Sequence, residues 1–166
     1  MILSSLLFGF SFAPSKGEDA YTHTIQFETS FGTKQVELSY SIPYSKFEYY
    51  HNAPHLPAVQ NGEMHFSYYV VTDSIVSELT NTFRSMATGD EDLADTVLSF
   101  TRHVALLLSP EEIEKNESYV VKNTLYPIET LVLGGVCDDL SVLYATIMRS
   151  LGYRLIFVHY PRHLSI

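Results

Sequence analysis

The feature that most limits what this chain can fold into is a change of hydrophobic period near Asp73. Before it, "THTIQFET" and "KQVELSYSI" alternate apolar and polar residues on either side of "FGT". That spacing predicts two strands joined by a glycine-containing turn. The next stretch, "PYSKFEYYHNAPHLPAVQNGE", carries Pro43, Pro54, Pro57 and Asn61-Gly62 and reads as irregular chain, with "MHFSYYVVT" as a further strand. After Thr72 or Asp73, either of which can cap a helix, Ile75, Val76, Leu79 and Phe83 recur at helical spacing up to Gly89. A second helix follows in "DEDLADTVLSFTRHVALLL". Its acids lie in the first turn, where the helix dipole favours them, and Leu93, Val97, Phe100, Val104 and Leu107 share one face. Ser109-Pro110 stops it and starts a short acidic helical piece, "EEIEKNESYV". Strands first and helices after argue for an α+β fold rather than a parallel doubly wound sheet.

Composition narrows the function classes. Ten basic against 19 acidic residues give a net charge of −9, with no Lys/Arg cluster, so nucleic acid is not an expected partner. Twelve tyrosines and ten phenylalanines without a tryptophan suit pleated, half-buried surfaces. A single cysteine excludes an internal disulfide framework and a cysteine-based zinc cluster. The apolar run "MILSSLLFGFSFAPS" has the length of an export signal but no basic residue before Lys16. It reads equally as a first strand or terminal segment, so cytoplasm and export both stay open. It is too short to span a bilayer as a helix, and membrane association would run only through it. The sequon Asn116-Glu117-Ser118 does not settle the compartment.

The one cysteine, Cys137, follows Gly134-Gly135-Val136 and precedes Asp138 and Asp139. Cys137, Leu140, Tyr144, Ile147 and Leu151, widened by Leu143 and Met148, predict a helix over 137–151 whose buried stripe begins at the thiol. Arg149 suits its last turn and Gly152 its left-handed stop. "RLIFVHY" then alternates as a strand, with Leu155, Phe157 and His159 on one face; Pro161 ends it and His163 follows. A thiol on an apolar stripe reads first as a buried structural residue. A thiol at a helix N-terminus also suits a nucleophile, because unpaired N–H groups stabilise thiolate and can hold an oxyanion. Asp138 and Asp139 oppose that activation, so an imidazolium partner is needed. A metal pair of His159 and His163 fits by spacing, but the nearest carboxylates lie on another element; no metal or cofactor is expected.

The ordered set "YPIETL", "GGVCDD", "LGY" and "PRH" resembles the transglutaminase-like group of the papain-like cysteine hydrolase superfamily, in its archaeal and bacterial branch. The resemblance covers about 40 residues, from Tyr126 to Ile166, and more weakly the two preceding helices. It implies a papain-like core, the nucleophile on a helix N-terminus packed against an antiparallel sheet, and thiol-dependent acyl transfer or amide hydrolysis on a protein or peptide. Cys137 would be the nucleophile and His163 its general base. Asp139 would support the helix start, and Glu129 and Tyr126 the loop that carries the cysteine. Two departures accompany it. Val136 stands where most relatives have aspartate, and the acid or amide that orients the histidine would fall beyond Ile166. The division expected is an apolar segment over 1–20, a β-rich region over 21–71 and a transglutaminase-like domain over 72–166, truncated at its C-terminal end. A non-catalytic protein-binding module on the same fold, or an inactive fragment of a longer protein, is the alternative.

Overall fold

The structure is a computed structural model, and it describes residues 19–56, 59–60, 63–107, 124–160 and 163–165. The apolar segment before Asp19, the acidic piece around the sequon and the stop at Pro161 lie outside the described residues. The described chain is α+β. Strands β1 (Ala20–Glu28) and β2 (Gln35–Pro43) pair antiparallel, with Ile25 opposite Leu38 and Phe27 opposite Val36. The turn uses Gly32 and Thr33 at positive φ, 79° and 47°. Period-2 alternation sends Ile25, Phe27, Leu38, Tyr40 and Ile42 inward. On the outer face Thr22 meets Ser41, Thr24 meets Ser39, and Gln26 donates to Glu37 at 2.6 Å.

Helix α1 (Tyr44–His51) occupies chain expected to be irregular. All three prolines stand outside it, and Pro43 serves as the extended residue at its cap, so they bound a helix instead of forbidding one. Phe47 and Tyr50, three apart, supply its buried side. Short strands β3 (Val59–Gln60) and β4 (Glu63–Met64) pair antiparallel. The strand expected over "MHFSYYVVT" is instead one helical turn, α2 (Phe66–Tyr69). Phe66 and Tyr69 are buried there while Ser67 and Tyr68 face out, the spacing of a helical turn; the aromatic and β-branched residues of the stretch favour a strand by propensity alone.

Helix α3 (Ser74–Met86) begins as expected. Asp73 is the cap residue, and its Oδ1 accepts from the Ile75 amide at 3.0 Å. Gly89 does not close it. The helix stops at Met86, and Gly89, in extended conformation, precedes α4 (Asp90–Val104). A 3₁₀ turn, Ala105–Leu107, prolongs α4. The Phe100 ring meets Phe83, Phe27 and Tyr40 at 5.0, 6.0 and 6.0 Å between centroids, so α4 carries the hairpin on one side and α3 on another. One apolar core holds residues of both the 21–71 and 72–166 regions.

Two further helices complete the core, α5 (Pro127–Leu133) and α6 (Cys137–Ser150). The stop of α6 is a Schellman motif: Gly152 at φ 98° donates to Arg149 O, and Tyr153 N donates to Met148 O, both at 3.0 Å. Beyond it Leu155 and Phe157 are half-buried while Ile156 and Val158 are exposed, as alternation predicts. Paired strand is confined to β5 (Val158–Tyr160), which meets β6 (His163–Ser165) antiparallel, Tyr160 opposite His163. The described strands form three separate two-stranded pairs. Among the described residues no helix is long and apolar enough to cross a membrane.

Candidate active site

Two helices with the same opening grammar position the cysteine. In α5 the cap residue is Tyr126 and Pro127 follows at the first helical position, where the missing N–H costs nothing. Glu129, at the third position, reaches back to the Tyr126 amide at 3.0 Å. In α6 the cap residue is Val136, Cys137 is the first helical residue, and Asp139 reaches back to the Val136 amide at 3.0 Å. The second Asp139 oxygen accepts from the Leu125 amide at 2.8 Å. Asp139 thus closes the connection from both ends.

The glycines between the helices have different reasons. Gly134 ends α5 at φ 74°, ψ −162°, a region that only glycine enters at little cost. Gly135 is a matter of space: a Cβ there would stand 2.6 Å from Asp139 Cβ and 2.9 Å from its Oδ2. The turn is therefore tight because the buried acid sits under it.

That same acid turns α6 away from its expected phase. Asp139, Val142, Leu143, Thr146 and Ile147 face the core, whereas Cys137, Leu140, Tyr144 and Leu151 are only partly buried. Asp139 must point inward to reach two backbone donors, and the apolar stripe rotates with it. The thiol consequently stands at the edge of the core and not within it. Cys137 Sγ lies 3.5 Å from Asp138 Oδ1, in a geometry where the thiol donates.

Glu129 is wholly buried, and its oxygens accept from more than its own helix. His55 Nε2 lies 2.7 Å from Oε2 and His51 Nδ1 lies 3.1 Å from Oε1. A carboxylate carries acceptors only, so each imidazole presents an N–H to it. His51 is the last residue of α1 and stacks on Phe47; His55 sets its ring edge-on to Tyr126, 5.3 Å away. Tyr126 itself is buried, donates its hydroxyl to Pro54 O at 3.1 Å, and packs against Tyr50 and Tyr69. Tyr126 and Glu129 therefore tie α1 and the chain after it to the helix preceding the cysteine. Sequence reasoning passed over both histidines. "HNAPH" carries no periodic signal, and the carboxylate it serves lies more than seventy residues away in sequence.

Burial pushes the Asp139 carboxyl up to about 7. The Leu125 and Val136 amides draw it down, and the Asp138 and Glu129 charges add to the rise. A group lifted in the folded state contributes stability that is fully present below its unfolded value near 4 and is lost as pH rises through about 7. Asp73 acts oppositely. Against the cost of burial, the Ile75 amide, Lys46 and Tyr50 hold it below the usual range, so its contribution is lost in acid. We expect stability to be greatest near pH 4, to fall by about 4 kcal/mol as pH rises to about 7, and to level off above it. Urea unfolding from about pH 4 to 8 measures it, and Asp139→Asn flattens the decline.

His163 opens β6, and this strand lies against α6, the helix that Cys137 begins. The described backbone thus brings the strand of the expected base to the helix of the expected nucleophile. No family model, no curated protein and no solved structure matches the chain.

Proposed function

We propose that the chain carries a transglutaminase-like variant of the papain-like core and that Cys137 is the nucleophile of thiol-dependent acyl transfer or hydrolysis at amide bonds of a protein or peptide. The observation that carries the reading is a half-buried thiol at the first position of α6, above a helix start braced by a wholly buried acid. A structural cysteine needs neither the brace nor the exposure. In the proposed step the Cys137 sulfur attacks the amide carbon while His163 takes the thiol proton. The Cys137 N–H, at the first turn of α6, is the donor offered to the developing oxyanion. Collapse expels the amine, which receives the proton from His163; water then adds to the thioester and releases the acid.

The contact from Cys137 Sγ to Asp138 favours the protonated thiol and supports a second reading, a protein-binding module that keeps the fold without the chemistry. A peptidyl vinyl sulfone separates the two, since activated thiols add to it readily. Intact mass should show one adduct on the wild type, none on Cys137→Ala, and labelling about 100-fold slower on His163→Ala. Equal, slow labelling of wild type and His163→Ala would favour the binding module.

A further inference from the structure

His23 faces the core with one ring nitrogen enclosed. It lies on the inward side of β1, directly opposite Tyr40 in the hairpin register, with the two ring centroids 5.6 Å apart. The ring is half-buried, and its Nε2 is shut off from water with no hydrogen-bond partner among the described residues. A neutral imidazole accommodates this by leaving Nε2 bare and carrying its proton on Nδ1. A charged imidazole cannot, because both nitrogens then bear N–H groups, and one of them meets no acceptor. Burial accordingly holds the His23 imidazole below its ordinary value, and no described charge contributes to the shift.

The titratable groups on the surrounding elements are engaged elsewhere. On β2, Glu37 accepts from Gln26 on the outer face, and Tyr40 donates to Leu131 O. On α4, Asp92 binds Lys34, Asp95 accepts from the Phe31 amide, His103 bonds Ser99 O and Arg102 is exposed. On α1, Lys46 and Tyr50 bind Asp73, and Glu48 acts on Tyr21. His51 of α1 bonds Glu129 of α5.

The two ends of the hairpin are held differently. Near the turn, the Phe31 amide and the Lys34 ammonium fix it to acids of α4. At the end away from the turn, the Tyr40 hydroxyl reaches Leu131 O of α5 at 2.7 Å, and Tyr21 sets its ring edge-on to Tyr44 and Phe47 of α1. His23 belongs to this second end, opposite Tyr40 and two residues from Tyr21. We infer that His23 is an acid-operated latch: its protonation releases the end of the hairpin away from the turn, residues 20–24 and 39–42, from α5 and α1, while the turn end stays on α4. Opening lets the Nε2 N–H reach water, and Tyr40 gives up Leu131 O. A histidine lowered in the folded state contributes stability that is fully present above its unfolded value near 6.5 and is lost as pH falls through the folded value. Asp139 acts in the opposite sense, so the latch shows as a difference between segments and not in total stability. It does not depend on the reading of Cys137 as a nucleophile.

Hydrogen–deuterium exchange of the whole chain at about pH 7.5, 6.0 and 5.0, corrected for the intrinsic rate, tests it. Between the extremes, protected amides of residues 20–24 and 39–42 should lose about tenfold in protection relative to those of α3, the effect of one proton over about one unit of pH. Amides nearer the turn should follow α3. His23→Phe keeps an aromatic strand former opposite Tyr40 but does not titrate, and it should abolish the difference. Circular dichroism shows whether that variant folds. If it does not, proton NMR of the His23 ring in the wild type decides, since its titration should lie below the ordinary value and coincide with the loss of protection. Equal pH dependence of this end and α3 overturns the inference, as does a difference that survives in folded His23→Phe. A ring that titrates at its ordinary value overturns it too, because the side chain would then turn into water without moving the backbone.

Discussion

Glu129→Ala should cost about 5 kcal/mol of folding stability, a large part of what a domain of this size holds. The carboxylate is fully buried and accepts from the Tyr126 amide, His55 and His51. Truncation strands the buried Tyr126 amide and the largely buried His55 ring, at about 1–3 kcal/mol each, and leaves a cavity besides, while the exposed His51 ring can turn to water. Glu129→Gln keeps one acceptor oxygen and should lose about half as much. Urea unfolding of the two variants measures the difference. Equal, small losses would mean that these donors are satisfied without the carboxylate and that Glu129 does not brace α5.

The second large effect is expected at a residue with no side chain. Gly135→Ala places a Cβ within 3 Å of two Asp139 atoms, and the conflicting partner is a short, buried, doubly hydrogen-bonded side chain. Relief requires moving Asp139 off the Leu125 and Val136 amides, so the loss should approach about 4 kcal/mol. The paired change Gly135→Ala with Asp139→Ala should recover part of it, because the overlap disappears. A double-mutant cycle reads this as a favourable coupling of more than about 1 kcal/mol. Additive losses would place the strain elsewhere.

How far these features could be read in advance depends on how local their causes are. The hairpin was legible because its alternation runs over nine residues per strand and its turn contains a glycine. The starts of α3 and α6 were legible because capping chemistry lies within three residues of the cap. Helix α1 was hidden by prolines that bound it, and α2 by aromatic and β-branched residues whose propensity favours a strand. Helix α5 carried a readable sign, proline at its first position and glutamate two later, though seven residues offer little periodicity. The phase of α6 could not come from apolar spacing, since a charged residue decides it by binding a backbone amide fourteen residues earlier. For the same reason His51 and His55 were invisible. A histidine's role follows from its partner, and that partner is brought close only by the packing of α1 on α5.

The central claim is that Cys137 is an activated thiol whose partner is His163. The most direct test is the rate of Cys137 alkylation by iodoacetamide from pH 4 to 10, in the wild type and in His163→Ala. The account predicts a thiolate that titrates well below the free-thiol value of about 8.5 and moves up by a unit or more when the imidazole is removed. A thiol that reacts slowly, titrates at or above that value and ignores His163→Ala would contradict it, and would mark Cys137 as a residue of the fold alone.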